Sequence, residues 1–334
     1  MSKIYRDRIA VIFTGLISLL MIVIIVGFGL IFIRPAQKGG IDQVIIVGEG
    51  MSLKEVAGNL ESKGLITNKT IFMLWTRLMG NSRQIKAGEY LLSSDMAPIR
   101  IMEILTKGVI ITYPVTIPEG FSIEQIGDIL AANVLADKTR FISLTHEPGI
   151  LQKYGISSPS LEGYLYPDTY QFGKGLSPAL IIDVMVKRFW EIMEPHRKQI
   201  EALGMTVEEV VTLASIVEKE TGRAEERPVI ASVFLNRLRK GMRLDSDPTV
   251  IYGINDFTGN LTRKDLLVST PYNTYVIRGL PPGPIANPGL GSIKAVLYPA
   301  ETDYLYFVSK NDGTHYFSST IEEHNRAVWI YQKK

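Results

Sequence analysis

The chain has 334 residues, a hydrophobic fraction of 46%, 9% aromatics and a formal net charge of +2. That composition excludes a disordered chain and supplies core for about two domains of about 100–200 residues each, and the near-neutral charge, with basic residues scattered among acidic ones, leaves no electrostatic footprint for nucleic acid. A sequence without cysteine has no disulfides, thiol nucleophiles or Cys-ligated metals, and the four histidines, His146, His196, His315 and His324, form no HExxH or other close ligand pair, which argues against a zinc hydrolase.

Residues 1–8 read as a short N-terminal tail. From Ile9 to Ile33 run 25 residues without a charge, bounded by Arg8 and Arg34. As a helix they span about 37 Å at about 1.5 Å per residue, enough to cross a bilayer with some tilt. A cleavable signal peptide is the rival reading, but its apolar region is shorter and ends in an A-x-A-like site that Phe32-Ile33-Arg34-Pro35 does not offer. A transmembrane helix over 9–33 is therefore expected. Lys3, Arg6 and Arg8 before it, against Arg34 and Lys38 after it, lean toward a cytoplasmic N-terminus and an extracytoplasmic, periplasmic-side remainder, with the chain held in the cytoplasmic (inner) membrane.

Residues 34–43 read as a linker. The segment 44–112 then predicts a compact β-α-α-β module: a β-branched strand at Val44–Val47, a turn and cap at Gly50-Met51-Ser52, and Leu53, Val56, Ala57 and Leu60 at helical spacing. A second helix around Thr70–Met79 and a strand near Glu89–Leu92 complete it. Val47-Gly48-Glu49-Gly50-Met51-Ser52-Leu53 is echoed seventy residues later by Ile117-Pro118-Glu119-Gly120-Phe121-Ser122-Ile123. The echo reads either as duplication or as a common local solution of strand, turn and capped helix.

Residues 113–334 read as a larger mixed α+β domain, so the fold class expected is α+β. The capping box Thr206–Glu209 opens a helix to about Thr221, and Pro228 starts another that runs through Arg239. Tyr304–Val308 and His315–Phe317 predict a hairpin about the turn Asn311-Asp312-Gly313, and Ile321–Gln332 a last helix.

On the helix opened by Thr206, Val207, Val210, Leu213, Ala214 and Val217 share one face. Glu218 and Glu220 lie at its two edges, about 200° apart at about 100° per residue, where partial desolvation would raise a carboxyl pKa toward that of a general acid. The pair cannot flank one glycosidic bond as a two-carboxylate glycosidase requires, and the spacing does not choose between them. Four loops collect aromatic, amide and carboxylate groups suited to sugars: Leu161–Tyr170, Asp247-Pro248-Thr249, Pro271–Tyr275 and the proline-rich Gly279–Gly289. Composition alone equally allows rigid corners around a core.

Leu213–Thr221, Asp247–Gly253, Tyr272-Asn273-Thr274-Tyr275 and Gly279–Gly283, with Tyr166–Tyr170 and Asn236-Arg237-Leu238, resemble the signatures of the bacterial endolytic murein transglycosylases. The resemblance covers nearly the whole chain, including the anchor, and makes the segment 44–112 similar to the LysM peptidoglycan-binding unit. It implies a non-hydrolytic cut between N-acetylmuramic acid and N-acetylglucosamine, leaving 1,6-anhydro ends, with no metal or cofactor. It places the single acid/base on Glu218, the first acidic residue of Ile216-Val217-Glu218-Lys219-Glu220. Tyr166, Asp247, Tyr272, Asn273 and Asn287 are expected to bind substrate, with Tyr166 at the rim. The partners implied are glycan strands and the membrane, with peptidoglycan synthases as candidates. The rival from another class is a non-catalytic, membrane-tethered peptidoglycan-binding scaffold. A penicillin-binding serine enzyme is excluded, since no Ser-x-x-Lys tetrad occurs.

Overall fold

The computed structural model describes residues 3–254, 257 and 259–332. The first helix, α1 (Lys3–Ile33), starts six residues ahead of the apolar run, because lysine and arginine continue a helix readily. From Ile12 its side chains are largely exposed, except at the last turn, where Phe32 is buried against Phe72 and Trp75 with ring centroids 6.0 and 5.7 Å away. By length and composition Ile12–Ile33 can cross a membrane, a property shared by anchors and signal sequences.

The chain divides into two compact units: residues up to Tyr113 together with Phe172–Leu176, and Pro114–Gln171 together with the chain from Ser177 onward. The smaller unit thus takes back five residues that sequence patterning groups with the larger one. Gly173 lies against the Ile110 side chain and the Ile111 carbonyl, and Gly175, at φ +81, lies against the Val47 carbonyl and Gly88. In this unit β1 (Asp42–Val47) pairs antiparallel with β2 (Gly88–Ser93), and between them run α2 (Leu53–Ser62) and α3 (Lys69–Leu78), with α4 (Pro98–Lys107) after β2. The period-two pattern of β1 sends Ile45 and Val47 into a core with Val56, Leu60, Phe72 and Tyr90, and leaves Val44 and Ile46 exposed.

The larger unit opens on a second copy of this plan. β3 (Tyr113–Thr116) precedes α5 (Ile123–Ala132) and α6 (Lys138–Thr145), and after α7 (Pro148–Tyr154) the chain returns as β4 (Thr169–Phe172), which pairs with β3. The correspondence extends to details. Gly50 and Gly120 both turn at positive φ (+78 and +74), and Ser52 and Ser122 both close capping boxes. Gly64 and Val134 both adopt the left-handed conformation after the first helix (φ 68 and 56). Asn68 and Asp137 both cap a helix that begins Lys-Thr and buries a phenylalanine, Phe72 or Phe141. A valine held at φ 56 is costly for a β-branched residue, and a glycine at the matching site is the unstrained version of the same turn.

The rest of the unit is mainly helical: α8 (Pro178–Met193), α9 (Arg197–Leu203), α10 (Val207–Glu220), α11 (Arg227–Arg239), α12 (Asp247–Gly253) and α13 (Leu290–Leu297), followed by the hairpin β5 (Tyr306–Ser309)–β6 (His315–Ser318) and α14 (Ile321–Gln332). α10 packs against α11 and α13, and every residue from Val210 to Val217 is buried. The single apolar face expected for it is too narrow: Thr212 and Ser215 are also interior, and Ser215 satisfies its hydroxyl on the Thr212 carbonyl. The helix therefore presents polar chemistry only at its two ends.

Candidate active site

At the C-terminal end of α10 the two glutamates face different surroundings. Glu218 is enclosed, its side chain 6% exposed. Its Oε1 accepts from Arg227 Nη2 at 3.0 Å, and its Oε2 from the Gly289 N–H at 3.0 Å. Arg227, itself only 14% exposed, also stands 3.7 Å from Glu119 Oε2. The Glu119 carboxyl lies directly over the Cα of Gly289, in the space a Cβ would fill. Burial first, and then the Glu218 charge, hold the Glu119 carboxyl above the usual range, with Arg227 opposing. Tyr166, nearly buried, belongs to this side: burial and then Glu119 raise its phenol, against a hydrogen bond from the Leu290 backbone.

Glu220 points the other way, into a cavity of about 490 Å³ whose walls include Asp247, Tyr275, Arg237, Tyr306 and His315. Ser246 Oγ donates to Glu220 Oε1 at 2.5 Å. Burial pushes this carboxyl up to about 7, helped by the Asp247 charge, while the Ser246 hydroxyl and Arg237 pull it down. Asp247 is exposed and accepts from the Tyr275 hydroxyl at 2.7 Å. The loops carrying these groups are laced together. Thr274 Oγ1 takes the Ser246 N–H and shares a 2.8 Å hydrogen bond with Thr249 Oγ1. Asn236 donates to the Thr302 and Tyr304 carbonyls, and Arg237 to those of Arg243 and Leu244 and to Asp245 Oδ2 at 2.9 Å.

Residues 45–329 match the YceG-like family. The chain belongs to that family. It is similar to the endolytic murein transglycosylase of Bacillus subtilis (strain 168), 33% identical over 91% of this chain and 89% of the relative. It is also similar to the protein of the same name from Streptococcus pneumoniae (serotype 2 strain D39), 32% identical over 84% of this chain but 57% of the relative, so it spans little more than half of that protein. The 2.6 Å crystal structure of a yceG-like protein from Listeria monocytogenes is 37% identical and superposes with a TM-score of 0.60, over 86% of this chain and 100% of that one.

Of the residues singled out from sequence, the structure brings Asp247 to Glu220, and Tyr166 and Asn287 to the Glu218 side. Asn287 is fully buried and spends its amide inside the protein, donating to the Phe121 carbonyl and to Glu162 Oε1 and accepting from the Leu165 N–H. Asn273 is likewise fully buried, donating to the Leu266 and Val268 carbonyls and accepting from the Tyr275 N–H. Both amides tie loops together. Tyr272 packs on Tyr252, with centroids 4.8 Å apart, and Tyr252 donates to the buried Glu162.

Sequence reasoning missed Ser246, Arg237 and Tyr275 as neighbours of Glu220. Tyr275 and Arg237 stand inside motifs already noticed, and Ser246 directly precedes Asp247, but no pattern along the chain says which loops meet. A larger groove of about 1000 Å³, with Leu203, Leu280 and Pro282 in its walls, lies at the N-terminal end of α10. Its carboxylates are engaged: Glu209 closes the capping box with Thr206, and Glu208 accepts from Ser158 at 2.8 Å. Among the described residues no three His, Asp or Glu side chains converge as a metal site.

Proposed function

We propose that this chain is an endolytic peptidoglycan lytic transglycosylase whose acid/base is Glu220 rather than Glu218. The substrate class follows from the relatives and their names. The assignment of the proton rests on one observation: Glu220 is a carboxyl pushed up to about 7 and open to a cavity, whereas both oxygens of Glu218 are already taken by Arg227 and Gly289. A general acid must carry a proton near the working pH and reach the leaving oxygen. Glu220, raised toward neutral and facing a cavity, fits this role, whereas Glu218 would first have to shed Arg227.

In the reaction the Glu220 carboxyl gives its proton to the O4 of the departing N-acetylglucosamine as the bond from C1 of N-acetylmuramic acid to that oxygen breaks. The resulting carboxylate then takes the proton of the muramyl 6-hydroxyl as O6 bonds to C1. The anhydro ring closes, the proton returns to Glu220, and no water is consumed. Asp247, held by Tyr275, supplies negative charge beside the developing positive charge at C1. In this reading α1 anchors the enzyme in the cytoplasmic membrane with the two units outside the cytoplasm, the LysM-like segment 44–112 helps hold glycan, and peptidoglycan synthases are the partners that would deliver nascent strands.

Full-length protein in detergent, incubated with purified glycan strands, tests this by product mass. Wild type should leave anhydro ends, one water lighter than hydrolytic ends. Glu220→Gln should lose about 10²–10⁴-fold in rate, the usual worth of general acid–base assistance, with its melting transition kept. Glu218→Gln should lose far less. The reverse pattern would return the proton to Glu218, and hydrolytic ends would remove the transglycosylase reading.

A further inference from the structure

Next to the Glu220 cavity lies a second one, of about 780 Å³, bordered by Arg243, Arg263, Leu266, Leu267 and Val276. Asp245 and Tyr275 border both cavities, so the two lie side by side. Its chemistry differs. Arg243 and Arg263 are exposed, and among the described residues neither has a carboxylate partner. Among the described residues the acid on this wall is Asp245, already paired with Arg237 at 2.9 Å. The same wall carries bare apolar groups: Leu267 is 78% exposed, and Val276 is exposed as well. The dividing residue Asp245 sits at φ 50, a backbone cost that native structures keep where geometry matters.

Two exposed guanidiniums with no carboxylate partner among the described residues, with apolar side chains on the same wall and the proposed sugar cavity next to them, match a short peptide that carries carboxylates and small apolar side chains. N-acetylmuramic acid bears such a peptide on its lactyl group. We infer that the cavity of Arg243 and Arg263 is a subsite for the stem peptide of the muramyl residue being cut, its carboxylates paired with the two arginines and its methyl groups on Leu267 and Val276. The inference rests on Glu220 marking the cleavage point. It makes the enzyme a reader of peptide-bearing strands rather than of bare glycan.

Two measurements test it. In the first, full-length wild type and an Arg243→Ala/Arg263→Ala variant act on glycan strands with and without their peptides. Wild type should show a KM about three- to tenfold lower for peptide-bearing strands, as expected of two exposed ion pairs. The difference should shrink as salt rises, and the variant should abolish it by raising KM on peptide-bearing strands, with kcat held. Arg243→Lys/Arg263→Lys should restore part of the preference, which a purely structural role would not predict. Equal KM values for both substrates in wild type, or an unchanged preference in the double variant, would overturn the subsite.

The second measurement needs no catalysis: binding of a soluble muramyl peptide, against N-acetylmuramic acid alone, to both proteins. Arginine-dependent peptide binding without strand cleavage would keep the subsite and discard the transglycosylase reading. Peptide binding that ignores the arginines would discard the subsite alone.

Discussion

Two glutamates two positions apart have opposite fates because a helix turns about 200° between them. Glu218 meets a guanidinium and a backbone N–H, and Glu220 meets a hydroxyl and open space. Glu218→Gln should therefore act mainly on stability. It leaves the largely buried Arg227 with only the more distant Glu119 as counter-charge, a loss of about 1–3 kcal/mol readable by urea melting, while Glu220→Gln should leave stability nearly untouched. Glu162 provides a separate test. It is 3% exposed and accepts from the Ile123 N–H, Asn287 Nδ2 and Tyr252 Oη, yet burial outweighs these donors and pushes it up to about 8. Its ordinary value is 4.5. Between the two values the native state holds a proton that the unfolded chain has released, so stability is full below pH about 4.5 and declines as pH rises through about 8. The slope is at most about 1.4 kcal/mol per pH unit. Glu162→Gln, measured by melting at pH 5 and pH 8, should flatten it, leaving the weaker decline that Glu220 contributes up to about 7. An undiminished slope would mean that Glu162 is ionised in the native state.

At the scale of elements, α10 was visible from its capping box and its apolar spacing, and both ends fall within a residue of expectation. Its complete burial was not visible, since small polar residues such as Thr212 and Ser215 look alike in sequence whether they face water or a neighbouring helix. The loops around it show why certain glycines are needed. Gly163, at φ +87, has the Pro284 ring where a Cβ would stand, with Val211 Cγ1 only 2.9 Å from that point. The Glu162-Gly163-Tyr164 turn and the proline-rich loop are thus packed backbone against ring. Gly163→Ala should combine an unfavourable φ with this overlap, costing about 2–4 kcal/mol by denaturant melting. A change under about 0.5 kcal/mol would show that the loop can give way. The paired strand-turn-helix units belong to this scale as well. Their shared caps and left-handed turns favour duplication over coincidence, and the second copy places Glu119-Gly120 against Glu218 and Gly289.

At the scale of the whole chain, α1 should retain the protein in the membrane fraction with an intact N-terminus, and protease added outside spheroplasts should digest the rest. A mature chain beginning after Ile33 would show that the helix is a signal sequence. The sequence by itself determined much of this protein: an apolar N-terminal helix, the alternation of strand and helix in 44–112, the helix boundaries around Glu218 and Glu220, and the family, because periodicity, capping and long motifs are local properties written along the chain. Only the tertiary structure decided which carboxylate is ion-paired and which faces a cavity. That choice depends on Arg227 and Gly289 meeting one side of α10, and Ser246, Asp247 and Tyr275 the other. It also decided that the amides of Asn273 and Asn287 are buried and bonded within the protein, since which polar groups lose their water depends on the loops that close over them and not on the chain's local pattern.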